Sequence, residues 1–319
     1  MESTPPGNFP FPLPHNVGLV CKDTAMTFRK DADVTGGRRA TTGGGGGKIA
    51  VGGGIGSLLL VGLFLLLGGN PNDIGQVLGG GQQEQLPSGT SSQLEHCNTI
   101  EDGNKYADCR VDFTAQSVDQ MWETMLPEQA GIQYTEPGRV VFQNSVQSGC
   151  GMASSATGPF YCPADQSAYF DVSFFDQLNQ LGGSDSPLAQ MYIVAHEFGH
   201  HIQQLEGTLG LSNYNNPGAD SNAVKIELQA DCYAGLWVSQ ADKGENPYLE
   251  PVTREQVATA IDTARAVGDD NIQKRTSGEV RPDVWTHGSS EQRQEAFLAG
   301  YNNGTMASCD TLGRNAYSR

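Results

Sequence analysis

Met191-Tyr192-Ile193-Val194-Ala195-His196-Glu197-Phe198-Gly199-His200-His201-Ile202-Gln203-Gln204 is the stretch on which the reading of this 319-residue chain turns. His196 and His200 are four residues apart. In a helix, positions i and i+4 share a face, so both imidazoles can grip one metal ion. Glu197 is turned about 100° around the axis, beside such an ion rather than bonded to it. That is the place of a general base for a water that the ion activates. The surroundings predict a helix over 187–206: Ser186 suits an N-cap, Pro187 the first helical position, and Gly207 ends the run. Leu188, Met191, Ala195, Phe198, Ile202 and Leu205 recur at helical spacing, and Ile193 and Val194 widen the apolar stripe. The histidines therefore fall mid-helix in a buried segment, and the pattern points to one zinc ion and to hydrolysis.

Two histidines leave a catalytic zinc site one protein ligand short. The best source is the stretch Val224–Trp237, where Glu227 and Asp231 are again four apart on one helix face. Ile226, Leu228, Ala230, Tyr233, Ala234 and Trp237 make that segment largely buried, and buried carboxylates need a partner. Glu227 is assigned as third ligand, with Asp231 itself or Asp220 as fallbacks. Asp231, one turn on, is placed to accept the free ring N–H of a ligand histidine, most simply His196. His201 points about 100° away from His200 and cannot share its face, which suits a polar contact at the helix flank. Thr286-His287-Gly288-Ser289-Ser290-Glu291-Gln292-Arg293 holds a capping-box signature in Ser289 and Gln292, so His287 lies in the loop before a helix. His287 is a candidate donor to the oxyanion of a scissile carbonyl and Arg293 a candidate anchor for a carboxylate, beside the plainer roles of a loop-fixing histidine and a salt bridge.

Outward from these motifs, the chain divides into four parts. Residues 1–48 are rich in Pro and Gly without apolar periodicity and predict a disordered segment. Met26 opens a more basic stretch and is a second candidate for the start of translation. Residues 49–67 are uncharged and dominated by Leu, Val, Ile and Gly; nineteen residues at about 1.5 Å each match the hydrocarbon thickness of a bilayer. Arg29, Lys30, Arg38, Arg39 and Lys48 precede this stretch and Asn70 to Ser92 carries no Lys or Arg, which predicts one transmembrane helix with a cytoplasmic N-terminus. Residues 68–93 read as a flexible linker, and 94–319 as the extracytoplasmic folded domain.

Nineteen basic and 36 acidic residues give a net charge of −17, and the part beyond residue 48 is more acidic still. That sign disfavours nucleic acid and anionic lipid as partners; the expected partners are a peptide or protein substrate in the cell envelope and, through the span, the bilayer. Six of the seven cysteines follow the span, an even number suited to an oxidising compartment. Local spacing favours Cys97 with Cys109 and Cys150 with Cys162, leaving Cys232 with Cys309; free buried thiols are the competing reading.

Helices are predicted at 117–126, 187–206, 222–243, 253–267 and 290–302, with Ser117/Gln120 and Thr253/Gln256 marking two starts. Short strands are predicted at 139–143, 159–162 and 168–172, the last a candidate edge strand for pairing with an extended substrate. The fold class is α+β, mainly helical, with a small antiparallel sheet.

These motifs together resemble the neutral zinc metallopeptidase family of bacterial membrane-anchored proteins. The matching strings run from Arg38-Arg39 and the Gly run through Ser148-Gly-Cys-Gly151, Gly158-Pro-Phe-Tyr-Cys-Pro163, Val172-Ser-Phe-Phe175, His196–Gln203, Glu227–Gly235 and Thr286–Arg293. The resemblance implies a zincin-like metallopeptidase domain in which Glu227 ligates zinc and Asp231 orients a histidine. It also relates Thr286-His287 to a Thr-His-Pro stretch of membrane-associated zinc endopeptidases, with Gly288 in place of the proline. The residues before Met26 depart from the family's pattern. Two other functions remain open on sequence: a metal-stabilised envelope module that binds without catalysis, and a zinc amidase acting on a cell-wall amide.

Overall fold

The structure, a computed structural model, describes residues 27–43, 94–154 and 157–317. Among them are eight α-helices: α1 (Ile100–Lys105), α2 (Ala107–Ala130), α3 (Phe174–Leu181), α4 (Pro187–Leu205), α5 (Asn222–Gln240), α6 (Arg254–Ala266), α7 (Asp269–Thr276) and α8 (Ser290–Asn303). Six short strands accompany them: β1 (Thr41–Thr42), β2 (Gly138–Phe142), β3 (Ser145–Ser148), β4 (Gly151–Ser154), β5 (Phe160–Cys162) and β6 (Ser167–Asp171). The fold is α+β and mainly helical, as expected.

The helix starts follow their caps. Ser186 Oγ accepts from Ala189 N, Ser221 Oγ from Val224 N, and Thr253 and Ser289 form full capping boxes with Gln256 and Gln292. Ser117 does not start a helix. It lies mid-way along α2, where its hydroxyl accepts the Trp237 indole N–H at 3.2 Å instead of capping a backbone. The capping-box pattern there is a coincidence of spacing, and the helix begins ten residues earlier.

Small residues let the central helices approach closely. A Cβ on Gly235 of α5 would lie 2.0 Å from the Phe297 carbonyl oxygen of α8, and one on Gly300 of α8 would lie 1.9 Å from that of Cys232. Gly199, inside the histidine motif, sits over Ala230 in the same way, with 3.0 Å from a built Cβ to its Cα. These contacts seat α4 and α8 against α5 at backbone distance, so short side chains such as Asp231 span the gap. Phe198, Tyr192, Trp237, Phe297 and Trp122 fill the core around them, buried almost completely.

The sheet departs from the antiparallel expectation. Its order is β1-β2-β6-β5; β1 and β2 pair in parallel, as do β2 and β6, and only β5 runs antiparallel to β6. The 24 residues between β2 and β6 hold the β3–β4 hairpin and β5, enough chain for the crossover that a parallel pair needs. The strand predicted over 168–172 is therefore internal. The edges belong to β1 and to β5, whose Phe160 and Tyr161 reach the cleft over α4. Disulfides join Cys97 to Cys109, Cys150 to Cys162 and Cys232 to Cys309, the pairing that the spacing favours.

Residues 27–43 correct the reading of 1–48 as a disordered segment. Phe28 is fully buried against Phe113, edge to face at 6.0 Å. Asp112 accepts both the Arg39 guanidinium and the Ala40 N–H at 2.6 Å, and β1 extends the sheet opposite Val140 and Val141. The segment is held by a few anchors to groups some 70 or more positions away, which leaves no local periodicity to read. The apolar stretch 49–67 and the linker 68–93 lie outside the described residues, and no described helix is long and apolar enough to cross a membrane. Residues 27–43 pack against 94–317 through the contacts of Phe28, Arg39, Ala40 and β1.

Candidate metal centre

Helix α4 presents His196, Glu197 and His200 to a cleft, and α5 brings Glu227 up beside them. Glu227 Oε2 lies 3.3 Å from His196 Nε2 and 3.7 Å from His200 Nε2. All three residues are buried, and their ligand atoms gather within 4.8 Å of one another. Two imidazoles and one carboxylate are the donor set of a catalytic zinc site that keeps a position open. The outer nitrogens strengthen the fit. His196 Nδ1 contacts Asp231 Oδ1 at 2.8 Å; a carboxylate only accepts, so Nδ1 carries the proton and Nε2 keeps its lone pair for the ion. His200 Nδ1 contacts Gln203 Oε1 at 2.9 Å, and the Gln203 amide is turned that way because its NH2 donates to Ile226 O (2.7 Å) and Gln229 Oε1 (3.1 Å).

Asp231 is the centre of a buried relay. Its carboxylate receives the Arg293 guanidinium through Nε at 2.7 Å and Nη2 at 2.9 Å, as well as the Tyr192 hydroxyl. Arg293 therefore serves the metal side of the site and is not free to anchor a substrate carboxylate. Burial alone would push the Asp231 carboxyl up, but the Arg293 charge and His196 hold it down to about 2. Burial lowers His196, yet Asp231 and Glu227 outweigh it and raise the imidazole to about 10. Two carboxylates around one imidazole favour a cation there, and a divalent ion would supply it in place of the proton. Burial would likewise raise Glu227, but the charges of His200 and His196 keep it well below the usual carboxylate range.

Glu197 lies beside this group, with its carboxyl raised by burial against the partial relief of His200 and His196. His287 faces the site from the loop before α8. Asp269, the first residue of α7, accepts the backbone N–H groups of Thr286, His287 and Gly288 at 2.8, 2.7 and 3.1 Å, and His287 Nδ1 contacts its other oxygen at 3.1 Å. Gly288, with φ +93°, makes that convergence possible. Nε2 is thus the ring nitrogen left to the cleft. Burial lowers His287, but Asp269 more than offsets it and the imidazole is raised above its ordinary 6.5. Phe160, Phe174, Ile193, Val267 and Ile272 give the cleft an apolar wall.

The remaining predicted residues fall elsewhere. Asp220 is exposed and outside the cluster. His201 is buried at the helix flank, donating from Nε2 to Thr135 O (2.6 Å) and accepting from the Tyr161 hydroxyl at Nδ1 (2.9 Å); burial lowers it to about 4, so it stays neutral. A second grouping of His96, Cys97, Asp108 and Cys109 has its two sulfurs joined in a disulfide and offers no thiolate. Gln203, Tyr192 and Asp269 escaped the sequence reading. Only Gln203 carried a local signal, three positions after His200 on the same face.

Residues 26–312 match the family described as "Putative neutral zinc metallopeptidase". The chain belongs to this family. Its relatives include the uncharacterized protein Rv2575 of Mycobacterium tuberculosis, 47% identical over 225 residues, or 69% of this chain and 75% of the relative. The uncharacterized protein YpfJ of Escherichia coli is 39% identical over 193 residues, 59% of this chain and 66% of the relative. No solved structure matches.

Proposed function

We propose that this chain is a zinc-dependent peptidase. The observation that carries the reading is the convergence of His196 Nε2, His200 Nε2 and Glu227 Oε2 in a buried cleft, with Glu197 beside them. A zinc ion held by these three residues supplies a Lewis acid that polarises a scissile carbonyl and acidifies a water. Glu197 removes the proton from the attacking water and returns it to the leaving amine, a task suited to a carboxyl raised by burial. His287, whose protonated form Asp269 favours, donates from Nε2 to the oxygen that gains charge. Asp231, Arg293 and Tyr192 hold His196 in the ligating tautomer. The apolar wall and the position of β5 at an edge of the sheet suit an extended peptide with apolar side chains.

The three disulfides support a location in an oxidising compartment outside the cytoplasm. Membrane attachment through 49–67 belongs to the same proposal with one amendment. The packing of 27–43 against 94–317 supports placing both flanks of that stretch on one side of the bilayer.

The test is zinc analysis of the purified full-length chain with cleavage of a peptide library, with and without chelator. Wild type should bind one zinc and cleave peptides; Glu197→Gln should keep the zinc and lose at least a hundredfold in turnover. Equal turnover in that variant sinks the assignment of Glu197. Zinc binding without cleavage of any peptide supports the binding-module reading, and release of amine from purified peptidoglycan alone supports the amidase.

A further inference from the structure

Two of the three candidate ligands have a dedicated partner on the side away from the cluster: His196 has Asp231 and His200 has Gln203. Glu227 has none. Its Oε2 faces the histidines, but Oε1 is buried without a hydrogen-bond partner. A desolvated carboxylate oxygen left unpaired costs on the order of 1–3 kcal/mol or more, so its neighbourhood is informative.

A second orphan stands next to it. The Tyr214 hydroxyl, in the loop between α4 and α5, is also buried without a partner. It sits within hydrogen-bonding reach of Glu227 and of the Ser212 hydroxyl, itself buried without a partner of ordinary geometry, whereas Glu197 touches it only through charge. Donor and acceptor are neighbours, and no hydrogen bond of ordinary geometry joins them. A phenol O–H is a donor, an ionised carboxylate accepts only, and a small turn of either group completes the pair.

We propose that Tyr214 is the positioning residue of the third ligand, donating its hydroxyl hydrogen to Glu227 Oε1 when Oε2 takes up zinc. The bond holds the carboxylate to one oxygen and aims it at the ion, as Asp231 and Gln203 aim the two histidines. The inference rests on the zinc reading above and goes beyond it in assigning a residue that the spacing of the motifs does not reveal.

The test compares the full-length wild type with Tyr214→Phe, Glu227→Gln and the double variant, by zinc affinity in chelator competition and by melting temperature without metal. Tyr214→Phe keeps the ring and removes only the hydroxyl. Its zinc dissociation constant should rise about tenfold, the usual scale for losing a ligand's outer partner, while the metal-free melting temperature should not fall. In the Glu227→Gln background the same change should add nothing. The cobalt-substituted protein should show an altered d–d spectrum in Tyr214→Phe. Wild-type zinc affinity in Tyr214→Phe overturns the proposal, as does an equal tenfold loss on top of Glu227→Gln. A fall in metal-free melting temperature that matches the loss of affinity overturns it too, by making the role structural. A wild-type chain that takes up no zinc overturns the parent reading first.

Discussion

The two histidines of the candidate metal centre are one helical turn apart, yet their surroundings differ in kind. His196 is backed by a charged relay in which Asp231 is pinned by both nitrogens of one edge of Arg293 and by Tyr192. His200 is backed by a neutral amide, Gln203, itself held by Ile226 O and Gln229. Both arrangements fix the tautomer. Only the first adds negative charge behind the ring, which raises its basicity as a ligand. The charged side also ties α4, α5 and α8 together, so metal affinity and fold stability share the same residues there.

The largest expected effect follows from breaking the charged side. Asp231→Ala leaves the Arg293 guanidinium buried without its counter-charge, at a cost of about 3–5 kcal/mol in unfolding free energy. It should also weaken zinc by about a hundredfold, the upper end for loss of such a partner. The same truncation on the neutral side, Gln203→Ala, strands smaller debts: one imidazole N–H and the Ile226 carbonyl lose a partner, at about 1–3 kcal/mol, with zinc weakened about tenfold. Denaturant unfolding of the metal-free chain and chelator competition measure both arms. Equal losses on the two sides would show that orientation alone matters and that the Asp231 charge contributes nothing.

This asymmetry also explains how far the sequence could be read. His196, His200, Glu227 and Asp231 were legible because each pair recurs at i, i+4, and caps at Ser186 and Ser289 framed the helices. The relay beyond Asp231 was not, because Tyr192 and Arg293 meet it across 39 and 62 positions and no local spacing encodes such contacts. Arg293 reads two ways in the sequence, as a substrate anchor or as one half of a salt bridge, and its burial against Asp231 decides for the second. Tyr214 lies in a loop of Asn, Gly and Pro, where a tyrosine has no periodic neighbours to give it a side. Residues 27–43 failed for the same reason, since two aromatic or aliphatic anchors and a bidentate acceptor hold them rather than an amphipathic pattern. The sheet's parallel pairings were hidden because short strands fix neither partner nor direction.

The smallest of these effects separates the ligand shell from the rim. Asp269 raises His287 as Asp231 raises His196, but His287 is outside the ligand group, so charge there should tune turnover and leave zinc alone. The protonated imidazole is the competent donor. With its pKa raised by Asp269, that form persists to higher pH than in an ordinary imidazole and is lost as pH climbs past the raised value, which sets an alkaline limb on kcat/KM. Asp269→Asn keeps an acceptor for the N–H groups of Thr286, His287 and Gly288 but removes the charge, while burial continues to lower the ring. The alkaline limb should therefore move to lower pH, the acid limb set by Glu197 should stay, and the zinc dissociation constant should not change. A pH profile of peptide cleavage beside a chelator titration reads all three. An unmoved alkaline limb would remove His287 from the reaction and leave Asp269 as a loop-fixing residue, while a weakened zinc site would mean that rim and shell are one electrostatic unit.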